Sequence, residues 1–372
     1  MKDANAPGNA RRDERAAFLT AAGWGGARAE PLAGDASTRS YERLRKGDQQ
    51  ALLMNAPPRA EGAACPPDAG PETRAALGYN ALARLAGPNL NAFLDIARLL
   101  KRAGFSAPDI FAADADAGFA LIEDLGDDLY ARAIPAGADE DALYAAAVDA
   151  LVALRGANLR PPRSDAYQML DYDKVAMAAE ADLLTEWYVP FRGVPHADGA
   201  VIDDLKHAWA DVLARLSSPS TITLRDFHAE NLIWLPERKG AARVGVIDFQ
   251  DGLYGHPAYD LVSLLEDARR DVPPALAEAM IARYCAKAAA DINAFNPDAF
   301  REEYAILAAQ RNAKILGVFA RLVKRDGKPR YEALLPRVEA HFRNDLAAPA
   351  LRPVRDVMKR VTPDLIAEKV VS

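Results

Sequence analysis

Three polar residues in the second half of the chain have the types and spacing that chemistry requires. Asp226 and Asn231 lie in Leu224-Arg225-Asp226-Phe227-His228-Ala229-Glu230-Asn231, and Asp248 follows seventeen residues later in Val246-Ile247-Asp248-Phe249-Gln250-Asp251. A strand ending at Asp226, a loop returning through Asn231 and a later strand ending at Asp248 would bring all three to one rim. Phosphoryl transfer uses such a set. One carboxylate orients the attacking hydroxyl and accepts its proton, while an amide oxygen and a second carboxylate hold the Mg²⁺ that bridges nucleotide phosphates. Asp226 is the candidate base, and Asn231 and Asp248 are the candidate metal ligands. Either Asp alone would be an ordinary strand-end residue. The ordered combination, with strand, turn and strand between, carries the reading.

The elements that position this set are legible around it. TITL (221–224), NLIWL (231–235), a turn over Pro236–Gly240 and RVGVI (243–247) form one compact β stretch. Helices enclose it. Residues 139–155 carry Leu143, Ala147, Ala150 and Leu154 on one stripe, 200–216 carry Val201, Leu205, Trp209, Val212 and Leu216, and the chain beyond 256 reads as helical. Upstream, a helix over Asp13–Ala22 precedes a hairpin formed by 41–45 and 51–54 about Lys46-Gly47-Asp48. A helix over 91–103 and a strand at 118–122 come next. The Ala-, Pro- and Gly-rich run from Pro57 to Pro88 reads as an inserted surface excursion with room for a helix over 72–86. Glu123 to Asp128 breaks the pattern and marks a junction. The chain thus divides into a leader and short helix (1–30), an N-terminal β lobe (31–124, with the insertion at about 57–90) and a larger helical lobe (125–372).

Composition narrows the function. With 46 Lys and Arg against 53 Asp and Glu, the net charge of −7 has the wrong sign for a general nucleic-acid binder. Cys65 and Cys285 are the only cysteines, so neither a disulfide framework nor a cysteine-based zinc site is expected. The start, MKDANAPGNARRDER, lacks the apolar core of a secretory signal, and no apolar run reaches the ~18 residues of a membrane span. A soluble, cytoplasmic protein is the expectation, with no membrane or nucleic-acid partner.

From about Leu32 to beyond residue 330 the sequence resembles the aminoglycoside-phosphotransferase-like branch of the protein-kinase-like superfamily. That resemblance implies an α+β, two-lobed fold with an antiparallel N-terminal β lobe, and ATP held between the lobes. It implies adenine bonded to the backbone of Glu123 to Leu125, Asp226 as the catalytic base, Asn231 and Asp248 as metal ligands, and Asp260 steadying the catalytic loop. Three departures stand out. The position two before the base, usually His, is Leu224. The phosphate-covering turn, Gly34-Asp35-Ala36-Ser37-Thr38-Arg39-Ser40, has a single glycine and would use backbone N–H groups with the Ser37 or Thr38 hydroxyl. The strand expected to carry a phosphate-gripping Lys reads Ala51-Leu52-Leu53-Met54-Asn55, leaving Arg39 or Arg43 to supply charge, and its partner helix offers Asp95 in place of Glu.

Catalytic residues name a reaction class, not an acceptor. DFQDGLYGHPAYDLVSLLEDARRDVP (248–273), QRNAKILGVFARLVKRDGKPRY (310–331) and EWYV (186–189) look like the anomeric N-acetylmuramate/N-acetylglucosamine kinases of peptidoglycan recycling. The resemblance implies a sugar 1-phosphate product, passed to a uridylyltransferase. An anomeric hydroxyl is acidic enough for a positioned Asp to suffice. Arg269, Arg270 and Arg311 are candidates for an acceptor carboxylate, and His228 and Asp251 lie beside the catalytic groups. A kinase for an aminoglycoside, choline-like alcohol or homoserine would share the triad but want an acidic pocket. A nucleotide-binding pseudokinase remains a further alternative. A protein kinase is disfavoured because nothing after Asp251 resembles an activation segment closing on Ala-Pro-Glu.

Overall fold

The computed structural model describes residues 6–32, 39–58, 65–85, 89–194 and 198–366, with side chains from residue 10 onward. A five-stranded antiparallel sheet comes first, formed by β1 (Arg28–Pro31), β2 (Ser40–Lys46), β3 (Gln49–Asn55), β4 (Ile110–Asp114) and β5 (Phe119–Ile122) in the order β1-β2-β3-β5-β4. The expected hairpin is β2–β3. Lys46 pairs with Gln49 across a two-residue turn in which Gly47 takes φ +57°, a region glycine enters without steric cost.

Because side chains alternate across a strand, the sheet serves two cores. Leu44, Ala51, Leu53, Phe119 and Leu121 face the helix Ala6–Ala21, whose Leu19 is buried with them and whose Phe18 stacks on Phe119 at 5.5 Å. Met54, Ala120 and Ile122 point the other way. They join Phe93, Ile96, Ala97 and Leu100 of the helix Leu90–Arg102, and through it the core of the helical lobe.

That lobe is organised around the 28-residue helix Pro297–Lys324, which packs on the helices Lys174–Leu183, Ala258–Leu265 and Leu335–Asp345. Its approach to the first is close. A Cβ on Gly317 would lie 2.4 Å from the backbone carbonyl of Leu183, so only glycine fits there. Gly317→Ala is expected to force these helices apart, costing about 1–3 kcal/mol as overpacking does, seen as a lowered Tm in thermal denaturation.

The β stretch expected as one unit is in fact two ribbons. β6 (Thr221–Thr223) pairs with β9 (Leu253–Gly255), while β7 (Leu232–Trp234) pairs with β8 (Val244–Val246). The excursion also differs from its reading. Its helix is Pro71–Leu77, ended by Gly78 at φ +96°, and the turn Asn80–Arg84 then packs on Lys174–Leu183 with Ala81 and Ala83 fully buried. Residues 71–85 are therefore built into the helical side. Cys65 and Cys285 are both free thiols, and among the described residues no helix is long and apolar enough to cross a membrane.

Candidate active site

The site begins where β6 ends. Asp260, on the first turn of Ala258–Leu265 and 3% exposed, accepts the Leu224 N–H at 2.7 Å and the Arg225 N–H at 2.8 Å. Ser263 Oγ donates to the Arg225 carbonyl at 3.1 Å. Held at both ends of its peptide, Arg225 takes φ +71°, a conformation a non-glycine residue keeps only where its surroundings impose it. The turn sends the Arg225 side chain inward and leaves Asp226 exposed to the cleft. Leu224 is simply buried in apolar surroundings; Asp260, Ser263 and Arg225 fix the loop.

Below the loop lies a buried charge network. Arg225 Nη2 donates to Glu180 Oε1 at 2.5 Å and Nη1 to the Arg84 carbonyl at 2.8 Å, with its guanidinium 5.0 Å from the Tyr172 ring. Lys314 Nζ reaches the same Glu180 oxygen at 2.8 Å, and the Tyr172 hydroxyl donates to the other. Glu180 is fully buried. Its sequence signal was one of two acidic residues, with Asp182, among the apolar residues of MAAEADLL, but its cationic partners are 45 and 134 positions away.

Asn231 and Asp248 stand beside Asp226. Asn231 Nδ2 donates to the Asp226 carbonyl at 3.0 Å, which puts Oδ1, the atom a cation takes, on the opposite side of the amide. Asp248 follows β8 with φ +58°, and its Oδ1 accepts from Arg39 Nη2 and Gln250 Nε2, each at 2.9 Å. Burial pushes the Asp248 carboxyl above the ordinary range; Arg39 opposes the rise, and the charges of Asp226 and Asp251 add to it. Burial acts in the same direction on Asp226, but the neighbouring positive charges, Lys314, Arg225 and Arg269 among them, outweigh it and hold Asp226 below that range. An ionised carboxylate thus faces the cleft. Hard oxygen donors crowded by like charge are what a divalent cation relieves, so these residues fit Mg²⁺, whose remaining ligands would be phosphate oxygens and water.

Other expected site residues fall differently. Arg39 reaches the site, on Asp248, whereas Arg43 is committed to Asp124 at 2.5 Å and Asp127 at 2.7 Å. The Glu123 carboxylate binds Arg238 at 2.6 Å, and Leu125 is buried, so any nucleotide contact there belongs to their backbone. Ser37 and Thr38 lie outside the described residues. Asp95 bonds Ser164 at 3.0 Å and Arg98 at 3.4 Å. His228 is buried against Arg269 at 3.2 Å, and burial above all lowers its pKa to about 4, so it is neutral at pH 7. The three arginines proposed for an acceptor carboxylate are spent elsewhere: Arg269 on Glu230, Arg270 on Glu140, and Arg311 on Ser263 and the Glu266 carbonyl. Arg269 stays beside the catalytic loop, against His228 and Glu230, but all three guanidiniums are committed to groups of the protein itself.

The cleft itself, of about 630 Å³, opens beside Asp226. Its charged lining is Arg84, Arg225, Lys314, Arg321 and Arg325 against Glu180, Asp226 and Asp251, an excess of two positive charges. Asp251, singled out from its place in the sequence, is there in an ion pair with Arg84 at 2.9 Å. One wall, Leu77 to Asn80, comes from the excursion.

An antiparallel β lobe on a helical lobe, with a carboxylate, amide and carboxylate at one rim, is the architecture of a kinase-like phosphotransferase. Residues 28–302 match the phosphotransferase enzyme family, and the chain belongs to it. It is 48% identical over 358 residues, 95% of this chain and 97% of the relative, to the N-acetylmuramate/N-acetylglucosamine kinase of Caulobacter vibrioides. It is 33% identical, over 90% of this chain and 89% of the relative, to the protein of the same name from Pseudomonas aeruginosa. Among solved structures, a choline kinase from Streptococcus pneumoniae superposes with TM-score 0.55 at 14% identity, over 90% of this chain and 99% of that one. A microcompartment-associated aminopropanol kinase gives 0.54 at 14% identity, over 91% and 95%. At that identity these two establish the fold alone.

Proposed function

We propose that this phosphotransferase transfers the γ-phosphoryl group of ATP to the anomeric hydroxyl of N-acetylmuramate and N-acetylglucosamine. The observation that carries the reading is the ionised Asp226 at the mouth of a cleft whose lining is net positive. Such a cleft suits a neutral or acidic sugar and repels the cationic acceptors of aminoglycoside and choline kinases. The names of the relatives point to the same acceptors.

The acceptor hydroxyl donates a hydrogen bond to Asp226 and attacks the γ-phosphorus in line. As the new P–O bond forms, the bond to the β,γ-bridging oxygen breaks, the proton passes to Asp226, and ADP leaves with the electron pair. Asn231 and Asp248 are the residues that would hold Mg²⁺, which neutralises charge on the phosphates when bound. Arg39, which pairs with Asp248, would supply positive charge to the phosphates if that carboxylate held Mg²⁺. The Glu123 to Leu125 backbone would receive adenine. The product, an anomeric phosphate, is the substrate class of a nucleotidyltransferase, here a uridylyltransferase. The reaction belongs in the cytoplasm, where Mg²⁺-ATP is plentiful, as a step of peptidoglycan recycling.

Turnover of Mg²⁺-ATP against N-acetylmuramate, N-acetylglucosamine, kanamycin and choline tests this. ADP formation with loss of the reducing end on the two sugars is expected. Turnover only on kanamycin or choline would overturn the acceptor, and silence on all four would put a nucleotide-binding pseudokinase in its place.

A further inference from the structure

Resting on that acceptor reading, we propose that Arg321 recognises a carboxylate on the acceptor, and so sets the preference for an O-lactyl N-acetyl sugar over its neutral counterpart. Lys314 and Arg321 both line the cleft from the helix Pro297–Lys324. They are seven residues apart, two turns on one face and about 10 Å along the axis. The helix therefore runs a row of positive charge away from the catalytic end of the cleft.

Arg321 differs from the other cations of the lining in what it touches. Arg84 is paired with Asp251, Arg225 and Lys314 with Glu180, and Arg325 with Asp326 at 2.7 Å. Arg321 lies over the Tyr79 ring, 4.9 Å from its centroid, and its buried Nε has no hydrogen-bond partner among the described residues. An aromatic face beneath a guanidinium orients the plane while leaving the edge donors unspent. The two terminal Nη groups form the fork that takes a carboxylate with two parallel hydrogen bonds, Nε being buried against the protein.

The acceptor chemistry matches this placement. A sugar with its anomeric hydroxyl at Asp226 projects its ring and any O-lactyl arm along the cleft, away from the phosphates. N-acetylmuramate carries a carboxylate on that arm and N-acetylglucosamine does not. Tyr79 belongs to the excursion, so a segment outside the catalytic machinery would supply half of the specificity element.

The test is the ratio of kcat/KM for N-acetylmuramate to that for N-acetylglucosamine in the unmodified enzyme, Arg321→Gln and Arg321→Lys. In Arg321→Gln the ratio should fall at least tenfold, through KM. Arg321→Lys keeps the charge without the fork and should fall less. A misfolded fraction lowers both sugars alike and cannot move the ratio. A ratio within twofold of the unmodified enzyme in Arg321→Gln overturns the assignment. Failure of the unmodified enzyme on both sugars would instead remove the acceptor reading, and this inference with it.

Discussion

Asp226→Asn is expected to lower kcat by about 10²–10⁴-fold, the range for loss of a positioned general base. Binding of ATP should persist. The substitution keeps size and some hydrogen bonding but removes the acceptor for the hydroxyl proton, and the groups proposed to meet the nucleotide are Asn231, Asp248 and the Glu123 to Leu125 backbone. The backbone around the position should hold too, because Asp260 and Ser263 fix it through Leu224 and Arg225, not through the Asp226 side chain. Single-turnover rates with an independent titration of ATP check the split. Collapse of nucleotide affinity with an unchanged single-turnover rate at saturation would move Asp226 to the metal-binding role.

Glu180→Gln should give the largest loss of stability. Glu180 is fully buried and its carboxylate is shared by Arg225 and Lys314, so neutralising it leaves two cations facing each other, Arg225 out of water and Lys314 at the cleft wall. Breaking a buried pair from one side costs about 3–5 kcal/mol. For a chain of this size that is a fall in Tm on the order of 10 °C. The loss should depend on pH with a definite sign. Burial would raise the Glu180 pKa, but Lys314 and Arg225 reverse that and depress it. Its stabilisation is thus present above the ordinary glutamate range and disappears as pH falls through the depressed value. Tm measured against pH should show the variant's deficit at neutral pH narrowing in acid. Adding Lys314→Met should recover part of it, since one of the two orphaned charges is then gone. A Glu180→Gln protein as stable as the unmodified one at pH 7 would mean the network relaxes onto water.

The network also links stability to the site. Arg225 is both the buried partner of Glu180 and the residue whose positive φ aims Asp226 outward. Relaxation of the pair is therefore expected to disturb the catalytic loop before it disturbs the β lobe.

The amino-acid sequence by itself determined what short stretches of chain can decide. Asp226, Asn231 and Asp248 span 23 positions, a stretch short enough for their residue types and order to be read together, although β9, Asp260 and Ser263 complete the rim. The β2–β3 hairpin followed from alternation and a glycine turn, and the helix Leu90–Arg102 from its apolar stripe. Contacts over long separations were decided only in the tertiary structure. Glu180 meets Lys314 across 134 positions, and β6 chose the unread strand β9 as partner. The excursion left the β lobe to wall the cleft. The acceptor arginines show why. Charge is visible in sequence, but the direction of a guanidinium depends on which neighbouring carboxylate or ring packing brings within reach. Arg269, Arg270 and Arg311 found partners inside the protein, while Arg321 found an aromatic face at the wall of the cleft.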